Sequence, residues 1–367
     1  MTSEMAPELP SESSEAPAKQ APIIFRLPHK TPDVRLVVFD QEYHVHSTIL
    51  KLYSNYFRKF LDSPDKPGSS PSSLFKYEYV TVVDDDGIWA LESAHKVQAI
   101  KPDALALLES SGKISVKSEC AIFRKLMSAM YHRPYTIDSA SDILELTRVA
   151  DFYCALPIVS ATLSGSLISS EYFAKKHFIK GKDNPDFVWY RAPELLLAAY
   201  RLRHAILFRE CLIHTVDFLD ASRRLSRDDR YKSYHLLDQN DVLYRIVLEH
   251  HNLKCQKIMK VNMEQIKLAQ DPKVSFLPSA ETLEIIETER PDMNAKYFRA
   301  VRQELAAQKL GGPEKPLMKA LDDLLKSNLV LDKTGRSPGE DGIYECSFQA
   351  CDADKVVLPW NEDEIDW

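Results

Sequence analysis

The side chains of this chain that could bind a metal ion or act as nucleophiles occur in small, isolated groups. His44 and His46 alternate on a short predicted strand, so both imidazoles would lie on one face, and a metal ion can use that spacing. No Cys or Asp pattern nearby supplies further ligands, so we expect structural roles for both histidines. Cys346 and Cys351 are the closest pair of cysteines, but no His follows them, and we expect reduced thiols.

The motifs of the common enzyme classes are absent from the sequence. It contains no Gly-x4-Gly-Lys-Ser/Thr, no Gly-x-Gly-x-x-Gly, no Gly-x-Ser-x-Gly and no His-Glu-x-x-His. Only ten glycines occur in 367 residues, which disfavours phosphate-binding loops. Asp84, Asp85 and Asp86 are consecutive on a predicted turn, so their carboxylates point in different directions and are expected to be solvated. The sequence therefore predicts a protein that is not an enzyme and has no cofactor or metal.

Positive charge is concentrated in one region of a chain whose formal net charge is −7. Its basic residues are Arg223, Arg224, Arg227, Arg230 and Lys232, followed at helical spacing by Lys254, Lys257, Lys260 and Lys267. Asp228, Asp229 and Glu264 interrupt this cluster, which favours a solvated helix face over phosphate contact. Nucleic acid is therefore not the expected partner, and a nuclear regulator that contacts DNA through the cluster is kept as an alternative.

The segment from Trp360 to Trp367 places four carboxylates between two tryptophans. In one interpretation the rings bind apolar pockets of a partner while the carboxylates attract its basic residues. In the other, Trp360 together with Val357 and Leu358 holds the tail on the body of the protein. The sequence leaves both interpretations open.

Length and composition indicate an intracellular protein of about two domains. Residues 1–21 are rich in Pro, Ser, Glu and Ala, and we expect them to be disordered. No apolar run is long enough to span a membrane, and no Asn-x-Ser/Thr glycosylation acceptor is present. Six dispersed cysteines favour reduced thiols in the cytoplasm or nucleus.

The elements that must position these residues begin near the front of the chain. Residues 34–38 and 43–46 predict two strands, and Ser47 is the predicted N-cap of an amphipathic helix that continues to residue 61. The helix has apolar residues at every third or fourth position, namely Ile49, Leu50, Leu52, Tyr53, Tyr56, Phe57, Phe60 and Leu61.

Further along, the pattern becomes mostly helical. Strands are predicted at 79–83 and 114–116, and helices at 102–108, 119–131, 141–153, 156–168, 241–269, 279–289, 292–309 and 316–329. Residues 193–219 predict a long helix or a helix pair, with Pro193 in its first turn.

The order of these elements resembles the BTB/POZ domain family. In that family an acidic residue precedes the first strand, as Asp33 does, and a hydrophobic-His pair ends the second, as Val45 and His46 do. Ser54-Asn-Tyr-Phe57 matches its Ser-x-x-Phe signature, and residues 123–131 and 143–153 resemble its later helices. The long segment 62–117, together with residues 193–220, resembles the fungal group of BTB-domain proteins.

The resemblance implies an α+β fold, with a small mixed sheet flanked by a helical cluster and followed by an all-α C-terminal region. We expect a BTB/POZ-like domain at 22–170 with an insertion at 62–117. A helical region at 171–270 and a polar, partly helical extension at 271–367 would follow.

The function implied by the resemblance is protein–protein interaction, by homodimerisation or by binding another protein. A narrower alternative is a substrate adaptor for a cullin-type ubiquitin ligase, for which Phe60-Leu61-Asp62 approximates the hydrophobic-x-Glu motif of such members. The residues expected to take part in association are Asp33, Arg35, Ser47, Ile49, Leu50, Tyr53, Trp360 and Trp367.

Overall fold

The computed structural model describes residues 20–63, 74–84, 87–97, 100, 102–110, 112, 114–174, 188–224, 229–272, 274, 276–288, 294–308, 312–332, 344, 346–364 and 367. The chain separates into two compact units, one that ends at Phe123 and one that begins at Arg124. Of the tail predicted at residues 1–21, all but the last two residues lie outside the described part. None of the described helices is long and apolar enough to cross a membrane.

A mixed sheet forms the centre of the first unit. Its strands are β1 (Ile23–Ile24), β2 (Val34–Val38), β3 (Gln41–Val45), β4 (Tyr77–Val83) and β5 (Trp89–Ser93), in the spatial order β1-β3-β2-β4-β5. β2 and β3 form an antiparallel hairpin, β4 lies parallel to β2, and β5 lies antiparallel to β4. The predicted small mixed sheet is confirmed, and two of its strands fall within residues 62–117.

The burial of side chains alternates along the strands, and this shows which face of the sheet is covered. Val34, Leu36 and Val38 on β2 are fully buried, whereas the residues between them are partly exposed. On β3, Tyr43 is fully buried, and its ring lies 5.4 Å from that of Phe123. Burial of side chains of this size stabilises the unit by about 1.5–3 kcal/mol each.

Asp33 joins three strands to the first helix. Its backbone N–H donates to the carbonyl of Val45, and its own carbonyl accepts from Lys76 and Tyr77. Its carboxylate accepts from the Ser47 amide at 2.7 Å and from the Ser47 hydroxyl at 2.6 Å. The first residues of a helix have free N–H groups, and this carboxylate satisfies one of them.

The predicted N-cap at Ser47 is wrong by one residue. Helix α1 spans Ser47–Tyr53 and its N-cap is His46, whose side chain makes no capping hydrogen bond. The carboxylate that bonds to the helix terminus comes instead from Asp33, fourteen residues earlier. A local pattern search for caps considers neighbouring residues, so it cannot find a partner supplied by another strand.

The single helix predicted up to residue 61 is also wrong, because it is two helices. Ser54 has an extended backbone, with φ −142° and ψ 115°, and it separates α1 from α2 (Asn55–Leu61). The Ser54 hydroxyl accepts from the Phe57 amide at 3.0 Å and so caps α2. The Ser-x-x-Phe signature is therefore a helix start rather than a position inside a helix.

The remaining elements are helical. They are α3 (Pro102–Ser110), α4 (Val116–Met130), α5 (Ala140–Phe152), α6 (Leu156–Ser169), α7 (Glu171–Ala174), α8 (Val188–Leu202), α9 (Ala205–Arg224), α10 (Asp241–Ala269), α11 (Ala280–Thr288), α12 (Asn294–Gln308) and α13 (Lys315–Leu325), with 3₁₀ segments at Asp229–Gln239 and Ala353–Lys355. A helix lies at each predicted position from residue 102 onwards, although α13 ends at Leu325 rather than at residue 329. Of the two alternatives for 193–219, the helix pair is observed, as α8 and α9.

Three local predictions are corrected by these elements. The strand predicted at 114–116 is wrong, because Val116 is the first residue of α4. Strand β5 was not predicted, because its Ala, Leu and Glu residues favour helix. Its burial nevertheless alternates as in a strand, with Trp89 and Leu91 on the buried face. Pro193 lies inside α8 rather than in its first turn, because buried Val188 and Tyr190 extend the helix towards its N-terminus.

The second unit contains a hydrophobic cluster to which the end of the chain contributes. Its buried members are Val261, Leu268, Phe276, Ala295, Tyr297, Phe298, Val301, Leu305, Leu317, Ala320, Leu321, Leu324, Leu325 and Phe348. Most of them lie beyond residue 271, in the segment predicted from sequence as a polar extension. The helices α10, α12 and α13 thus share one core.

Replacing Asp33 by Ala is expected to destabilise the protein by about 2 kcal/mol, because two hydrogen bonds to a carboxylate are lost. Urea unfolding of the full-length chain, followed by circular dichroism, measures the change. Ser47→Ala removes only the hydroxyl bond and should cost less, and in the double variant the two effects should not add. A loss below ~0.5 kcal/mol for Asp33→Ala, the range of ordinary surface substitutions, would contradict this role.

Candidate protein-interaction surfaces

Helix α1 presents an apolar row on the surface of the first unit. Ile49, Leu52 and Tyr53 have the i, i+3, i+4 spacing of one helix face. Leu52 is 59% exposed, and Ile49 and Tyr53 are partly exposed. A single exposed leucine is ordinary, but three adjacent apolar side chains form a ridge that a partner can cover.

The other predicted residues of α1 and of its preceding strand have structural contacts. Leu50 is fully buried, so it holds α1 on the unit rather than facing solvent. Asp33 and Ser47 are hydrogen-bonded to each other. Leu52, which was not among the predicted contact residues, is more exposed than any of these. The sequence alone could not separate Leu50 from Leu52, because both lie in a helix with apolar residues at most positions.

Arg35 lies on the polar face of the sheet between two glutamates. Its guanidinium donates to Glu42 at 2.9 Å on β3 and to Glu78 at 3.2 Å on β4. His44 also contacts Glu42, at 2.6 Å. The hydrogen bond from Arg35, followed by that from His44, lowers the pKa of Glu42 in spite of its burial. Arg35 therefore has its charge already balanced within the unit.

The two histidines near the end of β3 have different surroundings. His44 is turned towards Glu42, whereas His46 is buried with its Nε2 3.4 Å from the carbonyl of Lys30. Across the part of the chain that the structure describes, no three His, Cys, Asp or Glu side chains are arranged to hold a metal ion.

Two cysteines of the second unit lie beside histidines, one of them distant in sequence and the other one helical turn away. Cys351 Sγ is 3.5 Å from His250 Nδ1, and burial raises the pKa of this thiol to about 12. Cys255 lies 3.9 Å from His251 Nδ1, and Asp220 lies 2.8 Å from the other ring nitrogen. Burial raises the pKa of Cys255 too, so neither geometry favours the thiolate that a nucleophile requires.

Only part of the predicted basic cluster lies within the described residues. Arg227 and the side chains of Arg223, Arg224 and Arg230 lie outside the described residues. Lys254 is not on a solvated helix face as the sequence suggested, because it is buried and donates to the carbonyls of Val216 and Asp217 at 3.1 Å. Its charge is used inside the second unit, where it is not accessible to phosphate.

Residues 346–352 form a segment without regular structure that is bound by side chains of three helices. Asp217 on α9 accepts from the Ser347 hydroxyl and from the Phe348 amide, the latter at 3.0 Å. Lys257 on α10 donates to the Ala350 carbonyl at 2.7 Å. Arg299 on α12 donates to the Ser347 carbonyl at 2.6 Å.

Asn328 completes the binding of this 346–352 segment. Its backbone N–H donates to the Gln349 carbonyl at 3.1 Å, and its amide donates to the Cys351 carbonyl at 2.9 Å. Phe348 places its side chain in the hydrophobic cluster at 6% exposure. Because buried backbone groups must be hydrogen-bonded, these side chains replace the neighbouring strand that the segment lacks.

Beyond this segment, the two tail tryptophans contact the turn between α8 and α9. The Trp360 ring meets Phe208 edge-on at 5.2 Å and lies 6.4 Å from Tyr200. Trp367 donates to the Arg201 carbonyl at 3.3 Å and lies under the Arg203 guanidinium at 4.7 Å. In this structure the tail is held on the body of the protein, as one of the two sequence interpretations proposed. Leu358 is buried as that interpretation requires, but Val357 is 87% exposed, so its predicted part in holding the tail is wrong.

Part of the first unit matches a known domain family. The BTB/POZ domain family profile matches residues 24–82, which run from the end of β1 to the penultimate residue of β4. This part of the chain is a BTB/POZ domain, a module of protein–protein interaction that is typically not enzymatic. No curated protein and no solved structure gives a significant match to the chain.

Replacing Phe348 by Ala is expected to destabilise the second unit by about 3–5 kcal/mol, because it leaves a cavity in the hydrophobic cluster. Val357→Ala is the control: Val357 is 87% exposed in the same part of the chain and its loss should cost less than ~0.5 kcal/mol. Thermal unfolding of both variants beside the wild type measures the difference. Equal melting temperatures for the Phe348 variant and the wild type would refute the anchoring role.

Acid should loosen the 346–352 segment through Asp352. Burial favours the neutral acid, but hydrogen bonds from Lys326 and Lys257 outweigh it and lower the pKa of Asp352 from 3.8 to about 2. A lowered pKa means that the carboxylate stabilises the fold above pH 4, and that this contribution is lost as pH falls from 4 to 2. Over that range the unfolding free energy should fall more steeply for the wild type than for Asp352→Asn. Parallel pH profiles would contradict the assignment.

Proposed function

We propose that this protein works by association of its BTB/POZ domain, in the first place with a second copy of itself. The matched domain supports a role in protein–protein interaction. The apolar ridge of Ile49, Leu52 and Tyr53 supports α1 as the contact surface. Its side chains already lie at the surface, so the helix does not have to move for a partner to bury them.

In this proposal the predicted residues divide into two roles. Ile49 and Tyr53 contact the partner, together with Leu52, which the sequence did not predict and the structure adds. Asp33 and Ser47 fix the start of α1, since their hydrogen bonds join it to the sheet. Buried Leu50 and the Arg35 ion pairs hold the helix and the sheet in shape.

The narrower alternative, an adaptor for a cullin-type ligase, concerns the end of α2. Phe60 is partly exposed and packs on Tyr79, with ring centroids 4.6 Å apart. Asp62 is exposed, forms an ion pair with Lys51, and occupies the acidic position of the adaptor motif. This acidic group supports the alternative. Affinity purification that recovers no cullin with the tagged full-length chain would remove this version and leave the broader proposal intact.

Three further predictions rest on the sequence and its resemblance. They are an intracellular location, cytoplasmic or nuclear, a place within the fungal BTB group, and the division into 22–170, 171–270 and 271–367. Dispersed cysteines and the BTB/POZ match support the first, and the other two stay predictions.

Replacing Leu52 by Asp is expected to weaken self-association more than tenfold, because a buried leucine contributes about 1.5–3 kcal/mol and a charge takes its place. Sedimentation of the full-length chain at 1 to ~100 μM, a range that covers micromolar dissociation constants, measures the effect. Leu107→Asp is the matched control, since Leu107 is 71% exposed on α3 of the same unit.

A wild-type chain that stays strictly monomeric at tens of micromolar would overturn self-association. If Leu107→Asp weakened association as much as Leu52→Asp, the α1 ridge would not be the contact surface.

A further inference from the structure

The turn between α8 and α9 has a fixed geometry. Arg203 sits there at φ 50°, a left-handed conformation that costs a non-glycine residue about 1–2 kcal/mol. His204 follows and caps α9, because its Nδ1 accepts from the Leu207 amide at 3.2 Å. Its other ring nitrogen is then the N–H that donates to Ser164 Oγ at 3.0 Å. Burial lowers the pKa of His204 to about 4, so the capping nitrogen stays free to accept at neutral pH.

Three kinds of binding group lie close together at this turn and on the adjoining ends of α8 and α9. Phe208 and Tyr200 offer apolar ring surface, and Trp360 covers it. Arg203 offers a cation that pairs with Glu364 at 2.6 Å and stacks on Trp367. The Arg201 carbonyl accepts the Trp367 indole N–H. The surface therefore complements an acidic segment with a tryptophan at each end, in shape, charge and hydrogen bonding.

The tail is held far more weakly than the segment before it. The ring of Trp360 is only partly buried, and the Arg203–Glu364 ion pair lies at the surface, where such pairs contribute about 0–1 kcal/mol. An exposed cation–π contact adds about 0.5–1 kcal/mol. Residues 347–351, in contrast, are all buried. The tail beyond Leu358 can thus leave the turn without unfolding the second unit.

We propose that the α8–α9 turn is a peptide-recognition site for an acidic, tryptophan-bracketed segment of a partner protein, and that residues 359–364 and Trp367 occupy it in competition with that partner. The ion pair between Arg203 and Glu364, together with the ring contacts of Trp360 and Trp367, defines the chemistry of the ligand. The tail then acts as an internal competitor, and its release exposes both the turn and the tail tryptophans. This site is independent of the association through α1.

A fluorescent peptide with the sequence of residues 356–367 is the probe, and its binding is measured by anisotropy. The receptor is the full-length chain with Trp360→Ala and Trp367→Ala, in which the internal competitor is weakened. A tethered tail has an effective concentration of about 1 mM. If the peptide binds this variant with a Kd on the order of 10–100 μM, the wild type should bind it about ten- to a hundredfold more weakly.

Arg203→Glu in the same variant background should reduce peptide binding at least tenfold. Arg201→Glu is the matched control: it makes the same charge change two residues away, where the side chain is exposed and only the carbonyl contacts the tail. It should change binding less than threefold. Circular dichroism and thermal unfolding confirm that each variant is folded before binding is measured.

Three results would overturn the proposal. The first is no binding to the tail variant that folds normally. The second is an equal loss for Arg203→Glu and Arg201→Glu, which shows general electrostatics rather than a site. The third is conversion of a wild-type dimer to a monomer by Arg203→Glu, which makes the occupant a second copy of the chain.

Discussion

The carboxylate of Asp33, bonded to the amide and hydroxyl of Ser47, fixes the arrangement of the BTB/POZ unit. The backbone of the same residue pairs with Val45 and with the start of β4, so one position orders the hairpin, the parallel strand and α1. The orientation of α1 decides which of its side chains are buried. Leu50 therefore lies inside while Leu52 lies outside, and this division places an apolar ridge on the exposed side of the helix.

In the second unit, buried hydrogen bonds likewise fix the position of one segment. The 346–352 segment has no strand partner, and its backbone is satisfied by Asp217, Lys257, Arg299 and Asn328. Side chains with charges are suited to this, because hydrogen bonds to ionised groups are stronger than neutral ones. The bonds position Phe348 in the core and leave the following residues on the surface.

Burial sets the charge state of several cysteines and histidines in the second unit. Burial raises the pKa of the Cys351 and Cys255 thiols and lowers the pKa of His204 and His250. It therefore favours the neutral form of all four groups, and for the thiols this form is the less nucleophilic one. The apolar ridge on α1 is exposed, whereas the cation and the aromatic rings of the α8–α9 turn are covered by the tail. In the two proposals above, both features serve binding by surface complementarity.

The sequence by itself determined the α+β class, the domain resemblance and most helices, because apolar periodicity and the Asp33, Ser54 and Phe57 motifs are local signals. It also indicated that Trp360 could hold the tail. Tertiary structure alone decided the cap from Asp33, the burial of Lys254, the meeting of His250 with Cys351, and the exposure of Leu52. Each of these depends on contacts between residues far apart in the chain or on which face of a helix meets the core, and periodicity within one segment contains neither.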